Sequence, residues 1–92
     1  MDSEEAREIL RRHLETFGDR PYAELVALIG ETQVAELTAQ SGKSYQIEVE
    51  ALWDSEPGGS VLVVGSIDDG KWRAFFPLTQ SFIMSPDGSL GG

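Results

Sequence analysis

The chain has no cysteine. That excludes disulfides, thiol nucleophiles, cysteine-zinc sites and iron–sulfur clusters together. Basic side chains are scarce: 7 Lys and Arg stand against 16 Asp and Glu, a net charge of −9 with the single His neutral. No broad basic patch can form, which argues against nucleic acid and anionic membranes as partners. Long apolar runs are missing as well. The longest, such as Leu25–Ile29, falls far short of the roughly 20 residues that span a bilayer. The opening Met1-Asp2-Ser3-Glu4-Glu5 is acidic and polar where a signal peptide is basic and then apolar. A cytoplasmic protein is the expectation.

What is present is the composition of a folded domain. Apolar residues make up 40% and charged residues 25%, so the acidity accompanies a core rather than a disordered tail. At 92 residues the chain suits one domain, 1–92, with little surface to bury; its two Trp, four Phe and two Tyr must serve it efficiently.

Residues 3–17 carry apolar side chains at Ala6, Ile9, Leu10, Leu14 and Phe17, the spacing of one helical face. Asp2 or Ser3 can cap that helix, early glutamates suit its positive end, and Gly18 suits the position just past it. A second helix over 21–30 opens at Pro21, carries Tyr22, Leu25, Val26 and Ile29 on its stripe, and breaks at Gly30. A rival reading carries it on to Leu37.

The period then changes to two. Strands are expected at 32–40, 44–53, 60–67 and 71–76. Ser41-Gly42-Lys43 and Asp68-Asp69-Gly70 serve as turns, residues 54–59 as a loop, and Pro77 as the end of the last strand. Phe82-Ile83-Met84 is left as a short apolar segment before the turn Ser85-Pro86-Asp87-Gly88. Short connections force antiparallel neighbours. The expected fold is therefore α+β, with two N-terminal helices packed on one face of a four-stranded antiparallel β-meander.

Gly65 through Ile83, with its core Lys71-Trp72-Arg73-Ala74-Phe75-Phe76-Pro77-Leu78-Thr79-Gln80-Ser81, then Ser85-Pro86-Asp87-Gly88-Ser89, resembles a small family of uncharacterised bacterial proteins. Tyr45-Gln46-Ile47-Glu48-Val49-Glu50 is similar to it too. The resemblance covers roughly the C-terminal half. It implies a bacterial domain and carries no site residues.

The catalytic inventory is thin. His13, the one imidazole, falls within the apolar stripe of the first helix, without a nucleophile motif such as G-x-S-x-G. Asp54 and Glu56 lie in one connection and Asp68 and Asp69 in the next. A meander places these at opposite ends of the sheet, too far apart to share a calcium ion. Gly58-Gly59 precedes a strand where a phosphate loop would open a helix. No enzyme activity, metal or cofactor is expected.

Two surfaces remain. The terminal Gly91-Gly92 resembles the tail of ubiquitin-like modifiers and sulfur carriers, whose slim C-terminus is activated as an adenylate. Their fold opens with a β-hairpin, however, and this chain opens with two helices. The other surface is the sheet face that the helices leave uncovered. If Tyr45, Ile47, Val49, Trp53, Trp72 and Phe76 meet the helices, the opposite face presents Gln46, Glu48, Glu50, Leu52, Leu62, Val64, Ser66, Lys71, Arg73 and Phe75, apolar at its centre and charged with both signs at its flanks. Either Phe82-Ile83-Met84 folds back over it, or it is a modest exposed patch, or it is a contact surface. The contact reading makes the chain a protein-binding module, taking a basic partner or a second copy. Between Lys43 and Lys71 six acids and no basic residue occur, so −6 of the −9 sits on the second and third strands and their turns.

Overall fold

The computed structural model describes residues 2–69 and 78–91. Helix α1 spans Ser3–Gly18. Asp2 caps it, its side chain accepting from the Glu5 N–H at 3.1 Å, and Ala6, Leu10, Leu14 and Phe17 are buried along one face. Gly18 is the last helical residue rather than the one beyond it, and Asp19 takes the cap position. A Cβ on Gly18 would stand 3.5 Å from the tip of Leu90, an ordinary contact distance, so packing there does not demand glycine. Helix α2, Tyr22–Ala27, is shorter at both ends than the sequence spacing predicts. Pro21 stands before it as its cap, and Leu28 closes it with N–H bonds back to Leu25. Gly30 then takes a left-handed φ of 90°, which turns the chain into the sheet and removes the longer-helix reading.

Five strands follow among the described residues: β1 Thr32–Thr38, β2 Ser44–Trp53, β3 Val61–Asp68, β4 Leu78–Met84 and β5 Leu90–Gly91. Each pairs antiparallel with the next, so the spatial order is the chain order, a meander. The two helices and the antiparallel meander are as expected, and the described residues hold five strands where four were expected. The expected strand 71–76 lies outside the described residues. The described fourth strand runs through Leu78–Met84 instead, and takes in the segment read as a separate apolar stretch. Its inward positions are Leu78, Gln80, Phe82 and Met84, and Gln80 reaches α1 by donating from Nε2 to the Arg7 carbonyl at 3.1 Å. Beyond it Ser85–Ser89 makes a tight turn, with Gly88 at φ 88°, and returns Leu90 and Gly91 to pair with Met84 and Ile83.

The core lies between the helices and one sheet face. Tyr45, Ile47, Val49 and Ala51 of β2 and Val61, Val63 and Ile67 of β3 are all at most 4% exposed. They meet Leu10, Leu14, Phe17 and Leu25 in one cluster, with Trp53 partly buried against it. Helix α1 lies over β3 and β4, and α2 reaches β3. Tyr22 ties α2 to the β2–β3 loop by donating to the Gly59 carbonyl at 2.6 Å. The N-terminal turn of α1 is tied to the β1–β2 hairpin: Tyr45 and Ser41 hydroxyls both donate to Glu5 Oε1, at 2.7 and 2.8 Å.

Candidate functional site

Strand alternation puts every second residue of β1 to β4 on the face turned away from the helices. The pairing register lines these residues up in rows across the sheet. Leu52, Leu62 and Ile83 form one row, facing each other on β2, β3 and β4. The next row is Thr32, Glu50, Val64 and Ser81; the one after is Val34, Glu48, Ser66 and Thr79. The predicted residues Glu48, Glu50, Leu52, Leu62 and Val64 therefore do share the outer face. Phe75 lies outside the described residues, as do Trp72 and Phe76.

With Phe75 outside the described residues, the apolar part of the described face is not central. It gathers at the end of the face where β2 leaves for its loop, with Leu52 44% exposed and Leu62, Val64 and Ile83 partly buried. Glu48 and Glu50 border it, both exposed. Glu50 accepts a bond from the Thr32 hydroxyl at 3.3 Å. Ile83 was missed by the sequence reading, as was Val34 on β1, which is 58% exposed. Phe82-Ile83-Met84 does not fold over the face. It is a strand within it, Met84 buried beneath and Ile83 adding to the outer patch.

Lys71 and Arg73, expected on this face, lie outside the described residues; the charges of the described residues are segregated. Among the described residues the outer face carries Glu36, Glu48, Glu50 and Asp68 and no Lys or Arg. The described cations Arg7, Arg11, Arg12 and Arg20 belong to α1 and the turn after it, and Lys43 to the hairpin. On α1, Arg11 pairs with Glu8 and Glu15, and Arg12 with Glu8 at 3.0 Å. Hydrogen bonds from Arg11, then Arg12, hold the Glu8 carboxyl down at about 2. Arg20 stacks on the Phe17 ring, 4.5 Å from its centroid.

The remaining candidates fall into place individually. His13 is partly buried, edge-on to Phe17 with ring centroids 5.5 Å apart. Desolvation, then the Arg20 charge, lowers its pKa, so it favours the neutral ring at physiological pH. Asp54 and Glu56 occupy the β2–β3 loop, while Asp68 closes β3 at the other end, so the two acid pairs stand a strand length apart. Among the described residues no group of three metal-ligating side chains occurs. Gly91 is held in the ladder opposite Ile83, and Gly92 lies outside the described residues. A groove of about 360 Å³ runs between the end of α1 and β4, floored by Leu14, Phe82 and Leu90. No helix among the described residues is long and apolar enough to cross a membrane.

Comparison of the chain with protein-family models, with curated proteins and with solved structures finds no match.

Proposed function

We propose that the chain is a non-enzymatic binding module whose outer sheet face takes a protein segment with basic side chains around an apolar anchor. The observation that carries this reading is the row Leu52–Leu62–Ile83, with Val64 beside it, on the face opposite the helices. Such a patch offers the dry centre that a contact needs, and Glu48 and Glu50 supply a polar border. Charge complementarity selects the partner. Two copies laid outer face to outer face would bring Glu36, Glu48 and Glu50 of one against the same acids of the other, which works against self-association there. A cytoplasmic setting fits a cysteine-free chain of this size.

The test uses synthetic strand-forming peptides in which Leu and Val alternate with Lys, or with Glu, or with Ser. The Lys peptide should shift the amide resonances of Leu52, Leu62, Val64 and Ile83. Its affinity should fall as salt is raised. Leu62→Lys, on a partly buried surface position, should weaken it by about tenfold or more while the chain stays folded. Equal binding of the three peptides, or shifts confined to the helices, would sink the proposal.

A further inference from the structure

We infer that β1 is a self-pairing edge: it joins antiparallel to β1 of a second copy, making one continuous sheet across a two-fold axis at Ala35. Among the described residues, strand β1 pairs with β2 on one side only. The hydrogen-bond phase of that pair is fixed at the hairpin, where the Ala39 N–H donates to the Lys43 carbonyl at 2.8 Å. Counting back along the register, Leu37, Ala35 and Gln33 bond to Tyr45, Ile47 and Val49. The groups of Thr32, Val34, Glu36 and Thr38 therefore point away from β2. They form a row of donors and acceptors along a seven-residue edge.

Exposed edges are ordinarily blunted by Lys, Pro, a bulge or extreme shortness. Thr32–Thr38 contains neither Lys nor Pro, and its register with β2 runs without a bulge. The far side of the sheet differs, since it ends in the two-residue β5. The edge is also self-complementary. With the axis at Ala35, Thr32 faces Thr38 of the second copy, Val34 faces Glu36, and Gln33 faces Leu37. All four outward residues then lie in hydrogen-bonded pairs, giving about eight interchain bonds, two from each of four pairs. Ala35 meets its own copy at the close, non-hydrogen-bonded position, where a small side chain fits. Moving the axis to Glu36 would set that carboxylate against itself. Moving it to Val34 would leave Thr38 unpaired. An odd shift would set outward groups against inward ones. Because the axis stands perpendicular to the sheet, both helix layers fall on the same side, and the outer faces stay open for the partner proposed above.

Sedimentation equilibrium over a concentration series of the full chain tests this. The parent chain should dimerise by millimolar concentration. Val34→Pro removes only an outward N–H, so it should abolish the dimer and leave the far-ultraviolet spectrum unchanged. Two further variants report the register even if the proline variant unfolds. Val34→Lys faces Glu36 of the second copy and should retain the dimer. Val34→Glu sets like charges opposite each other twice and should weaken it by about tenfold. Leu62→Lys, on the outer face, should leave association unchanged. A strict monomer, a folded Val34→Pro dimer, or equal effects of Lys and Glu at position 34 would overturn the inference.

Discussion

Substitution of Gly65 offers a direct test of how closely α1 sits on the sheet. A Cβ at this β3 position would stand 2.8 Å from Leu14 Cδ2, 3.0 Å from Leu10 Cδ1 and 3.1 Å from Leu14 Cγ. Leu10 is 0% exposed and Leu14 5%, so neither tip can swing into solvent. Gly65→Ala must therefore strain a rotamer or lift the helix, an overpacking cost of about 1–3 kcal/mol. Gly65 has an ordinary φ that alanine adopts freely. Restricting the unfolded chain consequently returns about 0.4–1 kcal/mol. The net expectation is a loss of about 0.5–2 kcal/mol, which lowers Tm by roughly 2–16 °C in a domain of this size. Urea unfolding followed by tryptophan fluorescence measures it. The contact itself is isolated by a cycle with Leu14→Ala, which alone should cost about 2–4 kcal/mol. The double variant should cost less than the sum by about 0.5 kcal/mol or more. A Gly65→Ala protein as stable as its parent, or strictly additive costs, would refute the close approach.

Two further outcomes are expected. Burial, and then the bond to Glu5, push the Tyr45 phenol up to about 12. Its contribution to stability is complete below the unfolded value of about 10 and is lost as pH rises from there through about 12. An alkaline absorbance titration of the folded protein should show this late phenol, and Glu5→Gln should bring it down; ionisation of Tyr45 near the free value would count against the Glu5 contact. Tyr22→Phe leaves the Gly59 carbonyl without its 2.6 Å donor and should cost about 1 kcal/mol in urea unfolding. No loss would mean that water replaces the hydroxyl.

Much of the architecture was legible in the sequence because apolar spacing and chain punctuation agreed there. Strand β2 was bounded to the residue, since Tyr45, Ile47, Val49 and Ala51 alternate cleanly and all reach the core. Strand β4 was hidden by Gln80, an inward residue whose polar end is satisfied on α1 by a bond from a different part of the chain. Strand β5 has two residues, too few for any period. The outer face was read correctly on β2 and β3 for the same reason that β2 was, and Ile83 escaped because its strand did. Val34 escaped because the reading of the outer face began at β2. Gly18 looked like a helix stop because glycine so often is one; here the helix runs through it and Asp19 takes the cap.

The meander has a consequence for the order in which structure forms. Every sheet pairing joins neighbours in the chain, so the sheet can close hairpin by hairpin over short loops. Helix α1 is different: it is synthesised before the sheet, yet most of its sheet contacts lie on β3 and β4, which follow some forty or more residues later. Until then Ala6, Leu10, Leu14 and Phe17 have no sheet to cover them. The charged pairs of Glu8, Arg11, Arg12 and Glu15 on the opposite side of that helix, modest in the finished fold, help keep this waiting segment helical and in solution while the rest of the chain arrives.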